Sequence, residues 1–82
     1  MALFFVSYDL MAPGKDYEAL YNALRKSGAK KVLLSEWALK GDYTCIQLRD
    51  HFRQFMDAND RLLVEQCTTW ASWNTLTDIN AL

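Results

Sequence analysis

Two hydrophobic periods alternate along the chain. Residues 3–9 (L-F-F-V-S-Y-D) repeat every second position, with Phe4, Val6 and Tyr8 on one side and Leu3 and Phe5 on the other. Aromatic and β-branched residues that are apolar on both sides predict a central strand, covered above and below. Pro13-Gly14 breaks the chain. Beyond it Tyr17, Leu20, Tyr21 and Leu24 fall on one helical face, Asp16 and Glu18 suit the positive pole of a first turn, and Gly28 supplies a stop.

Residues 30–39 (K-K-V-L-L-S-E-W-A-L) form the longest β-like run, closed by Gly41-Asp42, with a break near Ser35 or Glu36 that divides it into two strands or bends it at a bulge. From Tyr43 the period is helical again, Cys45, Leu48, Phe52 and Phe55 sharing a face. D-A-N-D at 57–60 reads as a turn and R-L-L-V-E-Q-C at 61–67 as a strand, with Leu62 and Val64 opposite Leu63, Glu65 and Cys67. The order β-α-β(β)-α-β predicts an α+β, ferredoxin-like βαββαβ sandwich with two helices on one face of an antiparallel sheet. The helices cover only that face, and a homodimer through the other is the simplest cover. Residues 1–67 make this domain. Residues 68–82, polar and aromatic without a firm period, make a C-terminal arm: a short strand, a short helix, or a segment pairing with the partner subunit.

Length and composition narrow the picture. Eighty-two residues allow one domain with a thin core, yet 51% of them are hydrophobic and 13% aromatic, an excess that suits a surface covered by a partner. The net charge of −1 argues against tight, sequence-independent DNA binding, which a basic excess would drive. Arg25, Lys26, Lys30 and Lys31 cluster near the end of the first helix, where cations meet the negative pole of its dipole. Cys45 and Cys67 have no metal-ligand spacing and read as free thiols without a disulfide partner, which favours a reducing compartment. The N-terminus has no basic region before its apolar run, and no run approaches the roughly 20 apolar residues of a membrane span. A cytoplasmic protein with no membrane association is expected.

Signatures such as G-x-S-x-G, the Walker loop, G-x-G-x-x-G and H-E-x-x-H are absent. His51 lies mid-helix among charged residues, and Asp57 and Asp60 occupy a turn, where carboxylates usually accept backbone hydrogen bonds. Asp9 stands at the tip of the first strand, where α/β folds often place ligand groups. One aspartate holds a hard cation poorly, but a twofold axis pairs it with its own copy. Two such carboxylates repel unless a divalent cation or a proton lies between them.

A first strand ending in Tyr8-Asp9, a helix, a strand pair carrying Ser35-Glu36-Trp37, a second amphipathic helix and a strand after an acidic turn resemble a known family. It is that of the small CRISPR-associated subunit called protein two, the related VapD ribonuclease toxins and, most of all, the stand-alone bacterial proteins labelled SinR family. The resemblance covers roughly residues 3–67. It implies a ferredoxin-like homodimer in which Asp9 from each protomer binds a divalent metal, Mg2+ or Mn2+, and serves as the catalytic residue. It further implies Tyr8 and Ser35 as flanking residues, Trp37 within the second motif, and either metal-dependent cleavage of RNA or DNA or a scaffold role. Lys15 adds a candidate phosphate contact. Where the family often carries an arginine before the serine, this chain has Leu34.

The leading function is therefore a metal-dependent nucleic-acid phosphodiesterase (endoribonuclease or endodeoxyribonuclease) acting as a homodimer, and the alternative is a non-catalytic homodimeric scaffold or regulator of the same fold. A small-molecule sensor ranks below them, because no residue pattern marks a pocket. The aromatic signature of an RNA-recognition module is absent from R-L-L-V-E-Q-C.

Overall fold

The computed structural model describes all 82 residues. Its elements are β1 (Ala2–Asp9), α1 (Glu18–Lys26), β2 (Lys30–Leu33), β3 (Glu36–Gly41), α2 (Cys45–Arg53), β4 (Arg61–Cys67) and a final 3-10 turn at Ile79–Ala81. The strands form one antiparallel sheet in the order β2-β3-β1-β4, and the two helices pack on one of its faces. The architecture is an α+β fold consistent with the ferredoxin-like class.

The central strand organises both layers. On the helix side Phe4, Val6 and Tyr8 of β1 join Trp37 and Leu39 of β3, and beneath them pack Leu20 and Leu24 of α1 with Leu48 and Phe52 of α2. Phe4, Val6, Leu20, Leu24, Leu39 and Phe52 are fully buried. The Trp37 indole N–H donates to the Tyr8 hydroxyl at 3.0 Å, so the two buried polar rings satisfy each other. Burial is the main cause that raises the Tyr8 phenol above its ordinary pKa, and the bond from Trp37 opposes it.

Local chemistry sets the helix ends. At the end of α1 the Ala29 N–H donates to the Leu24 carbonyl and the Gly28 N–H to the Arg25 carbonyl, both at 3.0 Å. Gly28 adopts φ +85°, the left-handed conformation this Schellman closure requires. Helix α2 opens on a capping box: the Gln47 N–H donates to Thr44 Oγ1 and the Thr44 N–H to Gln47 Oε1. Between β2 and β3 the chain turns at Leu34-Ser35, and a register irregularity between Lys31 and Leu33 sits within β2. Ordinary alternation along β2 puts Lys31 over the Tyr21 ring on the helix side and Val32 into the opposite layer.

The second face has a core of its own. Leu3 and Phe5 of β1, Val32 of β2 and Ala38 of β3 enclose Ile79, which is 3% exposed, and Cys67, Trp70 and Leu82 border them. The C-terminal arm thus lies across its own chain's sheet. Two hydrogen bonds to the β2 backbone tie it there, the Leu76 N–H donating to the Val32 carbonyl at 2.9 Å and the Thr77 hydroxyl to the Lys31 carbonyl at 2.9 Å. The arm covers the end of the sheet around Phe5 and Ala38 and forms no strand.

Removing the side chain that anchors the arm deletes buried methylenes and leaves a cavity. Ile79→Ala is expected to lower unfolding free energy by about 2 kcal/mol or more. Urea denaturation at several protein concentrations checks this, and the loss should not vary with concentration.

Candidate functional site

Asp9 is the last residue of β1, and the pleat sends its side chain to the face without helices, in line with Leu3, Phe5 and Ser7. The antiparallel register places Arg61, the first residue of β4, directly opposite. Arg61 Nη1 stands 3.5 Å from Asp9 Oδ2, and both side chains are mostly in water, 70% and 62% exposed. Two residues back along β1, Ser7 faces Glu36 on β3 and Leu63 on β4, and its hydroxyl donates to Glu36 Oε1. The Tyr8 N–H donates to the Ser35 carbonyl at 3.1 Å, bringing the β2–β3 turn alongside. Ser7, Asp9, Ser35, Arg61 and Leu63 line one open hollow of about 280 Å³.

The residues singled out in the sequence therefore separate. Asp9 and Ser35 share this hollow. Tyr8 contributes backbone to it, but its ring, like that of Trp37, lies in the helix-side core. Period-two alternation dictates this, since neighbours along a strand face opposite ways. Lys15 belongs to another cluster: its ammonium lies 5.3 Å from the centre of the Tyr17 ring. Arg61 is the member that linear sequence hides. It lies 52 positions from Asp9, and only the β1–β4 register makes them neighbours. It places a guanidinium beside the strand-end aspartate, although Leu34 occupies the position before Ser35.

Asp9 supplies one carboxylate to this hollow. No group of three or more His, Cys, Asp or Glu is placed to hold a divalent metal, and the carboxylate of Asp9 is already beside a guanidinium. Magnesium favours an octahedral shell of oxygens with at least one carboxylate, and a neighbouring cation raises the cost of adding it.

The most highly connected carboxylate is Asp60, in the turn before β4. Its Oδ1 accepts from the Met11 N–H at 2.6 Å and the Tyr17 hydroxyl at 2.8 Å, and its Oδ2 from the Asp57 N–H at 2.7 Å. Asp60 thereby ties the β1–α1 loop to the α2–β4 turn, just behind the Asp9–Arg61 pair. Desolvation raises its pKa, but the Met11 and Asp57 amides, the Tyr17 hydroxyl and the Lys15 charge outweigh it and hold the carboxyl below its usual 3.8. Tyr17 is pushed above 10.0 by desolvation and by its bond to Asp60. His51, with one face toward Phe52 and Phe55, is exposed on α2. Cys45 and Cys67 are free thiols. Among the cations near the end of α1, Arg25 lies over Trp37 and Lys31 over Tyr21. No helix is long and apolar enough to cross a membrane. No family model matches the chain, and no solved structure gives a significant match.

The two aspartates are expected to respond differently to neutralisation. Asp9→Asn removes one exposed ion pair and should cost less than about 1 kcal/mol. Asp60→Asn replaces an acceptor-only group that takes three hydrogen bonds and should cost about 2 kcal/mol near neutral pH. Because the folded pKa of Asp60 is depressed, its stabilisation is complete above the ordinary value of 3.8 and is lost as pH falls through the folded value. Urea titrations between neutral and acid pH check both statements: the gap between wild type and Asp60→Asn should shrink in acid.

Proposed function

We propose that the chain is a non-catalytic homodimeric scaffold or regulatory module that associates through the Asp9 end of its helix-free sheet face. The observation that carries this reading is the Asp9–Arg61 pair, in which the strand-end carboxylate is balanced within its own chain. Leu63, which lines the same hollow as the pair, is an exposed apolar side chain at 59% exposure. An isologous twofold interface must be self-complementary, and a surface carrying one carboxylate and one guanidinium side by side meets that demand. Cytoplasmic residence accords with the two free thiols.

A second reading draws on the same hollow. Asp9, Arg61, Ser7 and Ser35 together offer a carboxylate, a planar guanidinium suited to a phosphate, and two hydroxyls. Two chains facing one another through this surface would double that set, as a metal-dependent RNA or DNA phosphodiesterase with Mg2+ or Mn2+ requires. The two readings share the dimer and part on cleavage.

Sedimentation of the wild type and of Leu63→Glu tests the shared part. The wild type is expected to be dimeric and the variant monomeric, with matching far-UV circular dichroism spectra because Leu63 is exposed. Wild type, Asp9→Asn and Arg61→Ala incubated with RNA and duplex DNA in Mg2+ or Mn2+ test the remainder. Equal background cleavage by all three supports the scaffold. Cleavage lost in Asp9→Asn overturns it in favour of the phosphodiesterase.

A further inference from the structure

The arm leaves a cavity between itself and the sheet. About 400 Å³ in volume, it lies beside the Asp9 hollow and is separated from it by the Ser7–Glu36 hydrogen bond. Its size is within the range of small-molecule sites. Phe5 and Ile79 contribute apolar wall, Trp70 packs half-buried at the edge of the second core, and Trp73 stands at the rim with 90% of its surface in water. A tryptophan so exposed adds nothing to the core.

The lining has one sign of charge. Glu36 and Glu65 both contribute to it, and no lysine, arginine or histidine does. Neither glutamate has an ion-pair partner, and Glu36 accepts one hydrogen bond, from Ser7. The register sets them on opposite sides of β1, Glu65 opposite Phe5 and Glu36 opposite Ser7. Two strand spacings across and two residues along separate their Cα atoms by roughly 12 Å. Two unpaired carboxylates, an apolar floor between them and indole rings at the margin suit a ligand with cationic ends and an apolar middle. Indole faces attract ammonium groups, and the carboxylates supply the opposite charge.

We propose that this cavity binds a linear organic polycation of the polyamine type, its ammonium groups at Glu36 and Glu65 and its methylene chain over Phe5 between the indole rings. The site is independent of Asp9 and needs only the folded single chain.

Titration of the whole chain with spermidine, followed by tryptophan fluorescence, tests the assignment. A saturable change is expected, with the apparent Kd weakened at least about tenfold in Glu65→Gln and again in Trp73→Ala. Glu65 and Trp73 are exposed, so both variants should fold, and their urea midpoints verify it. Magnesium ion carries two charges without an apolar body and should compete only weakly. Absence of a saturable response, an unchanged Kd in both variants, or displacement of spermidine by magnesium at equal concentration would overturn the proposal.

Discussion

The fold depends on β1 being apolar on both faces while it lies between β3 and β4. A strand so placed has its backbone bonds satisfied on both sides, but its side chains demand two covers. The helices provide one, through Leu20, Leu24, Leu48 and Phe52 against Phe4, Val6 and Tyr8. The arm provides the other, through Ile79 against Leu3 and Phe5. A domain this small gains proportionally from each buried side chain, because its surface is large for its volume. The second cover is therefore a structural element rather than an accessory tail.

The partial extent of that cover determines where function is to be sought. The arm ends its protection near Phe5, and beyond it the same sheet face continues into Ser7, Asp9, Arg61 and Leu63 in the open. The side chains the arm buries on this face are apolar, and the open half mixes charge with leucine. Asp60 supports this region from behind by joining the loop after β1 to the turn before β4. Asp60, the residue before Arg61, is itself held by the Met11 and Asp57 amides and the Tyr17 hydroxyl.

Much of the architecture was legible in the sequence because period and turn chemistry agreed. The alternation of Phe4, Val6 and Tyr8, the helical face Tyr17-Leu20-Tyr21-Leu24 and the 61–67 strand correspond to observed elements. The break near Ser35 falls at the observed hairpin turn. Asp57 and Asp60 serve backbone amides, as turn carboxylates usually do. The path of the arm was less accessible, because Ile79 is one apolar residue among polar ones and its anchoring bonds reach back to Val32 and Lys31. Of the site, Asp9 and Ser35 could be found from their positions, whereas Arg61 could not, because its proximity arises from register alone. Tyr8 and Trp37 show the reverse: adjacent to Asp9 and Glu36 in sequence, they face the helix-side core, where each satisfies the other's polar atom.

Which chain's arm lies on which sheet bears most directly on this account. An isotope-filtered NOE experiment on an equal mixture of labelled and unlabelled protein distinguishes the two arrangements. Contacts between the Ile79 methyls and the Phe5 ring are predicted within one chain and absent from the filtered, between-chain spectrum. Strong Ile79–Phe5 contacts in the filtered spectrum would contradict the account, showing that the partner's arm makes the second cover.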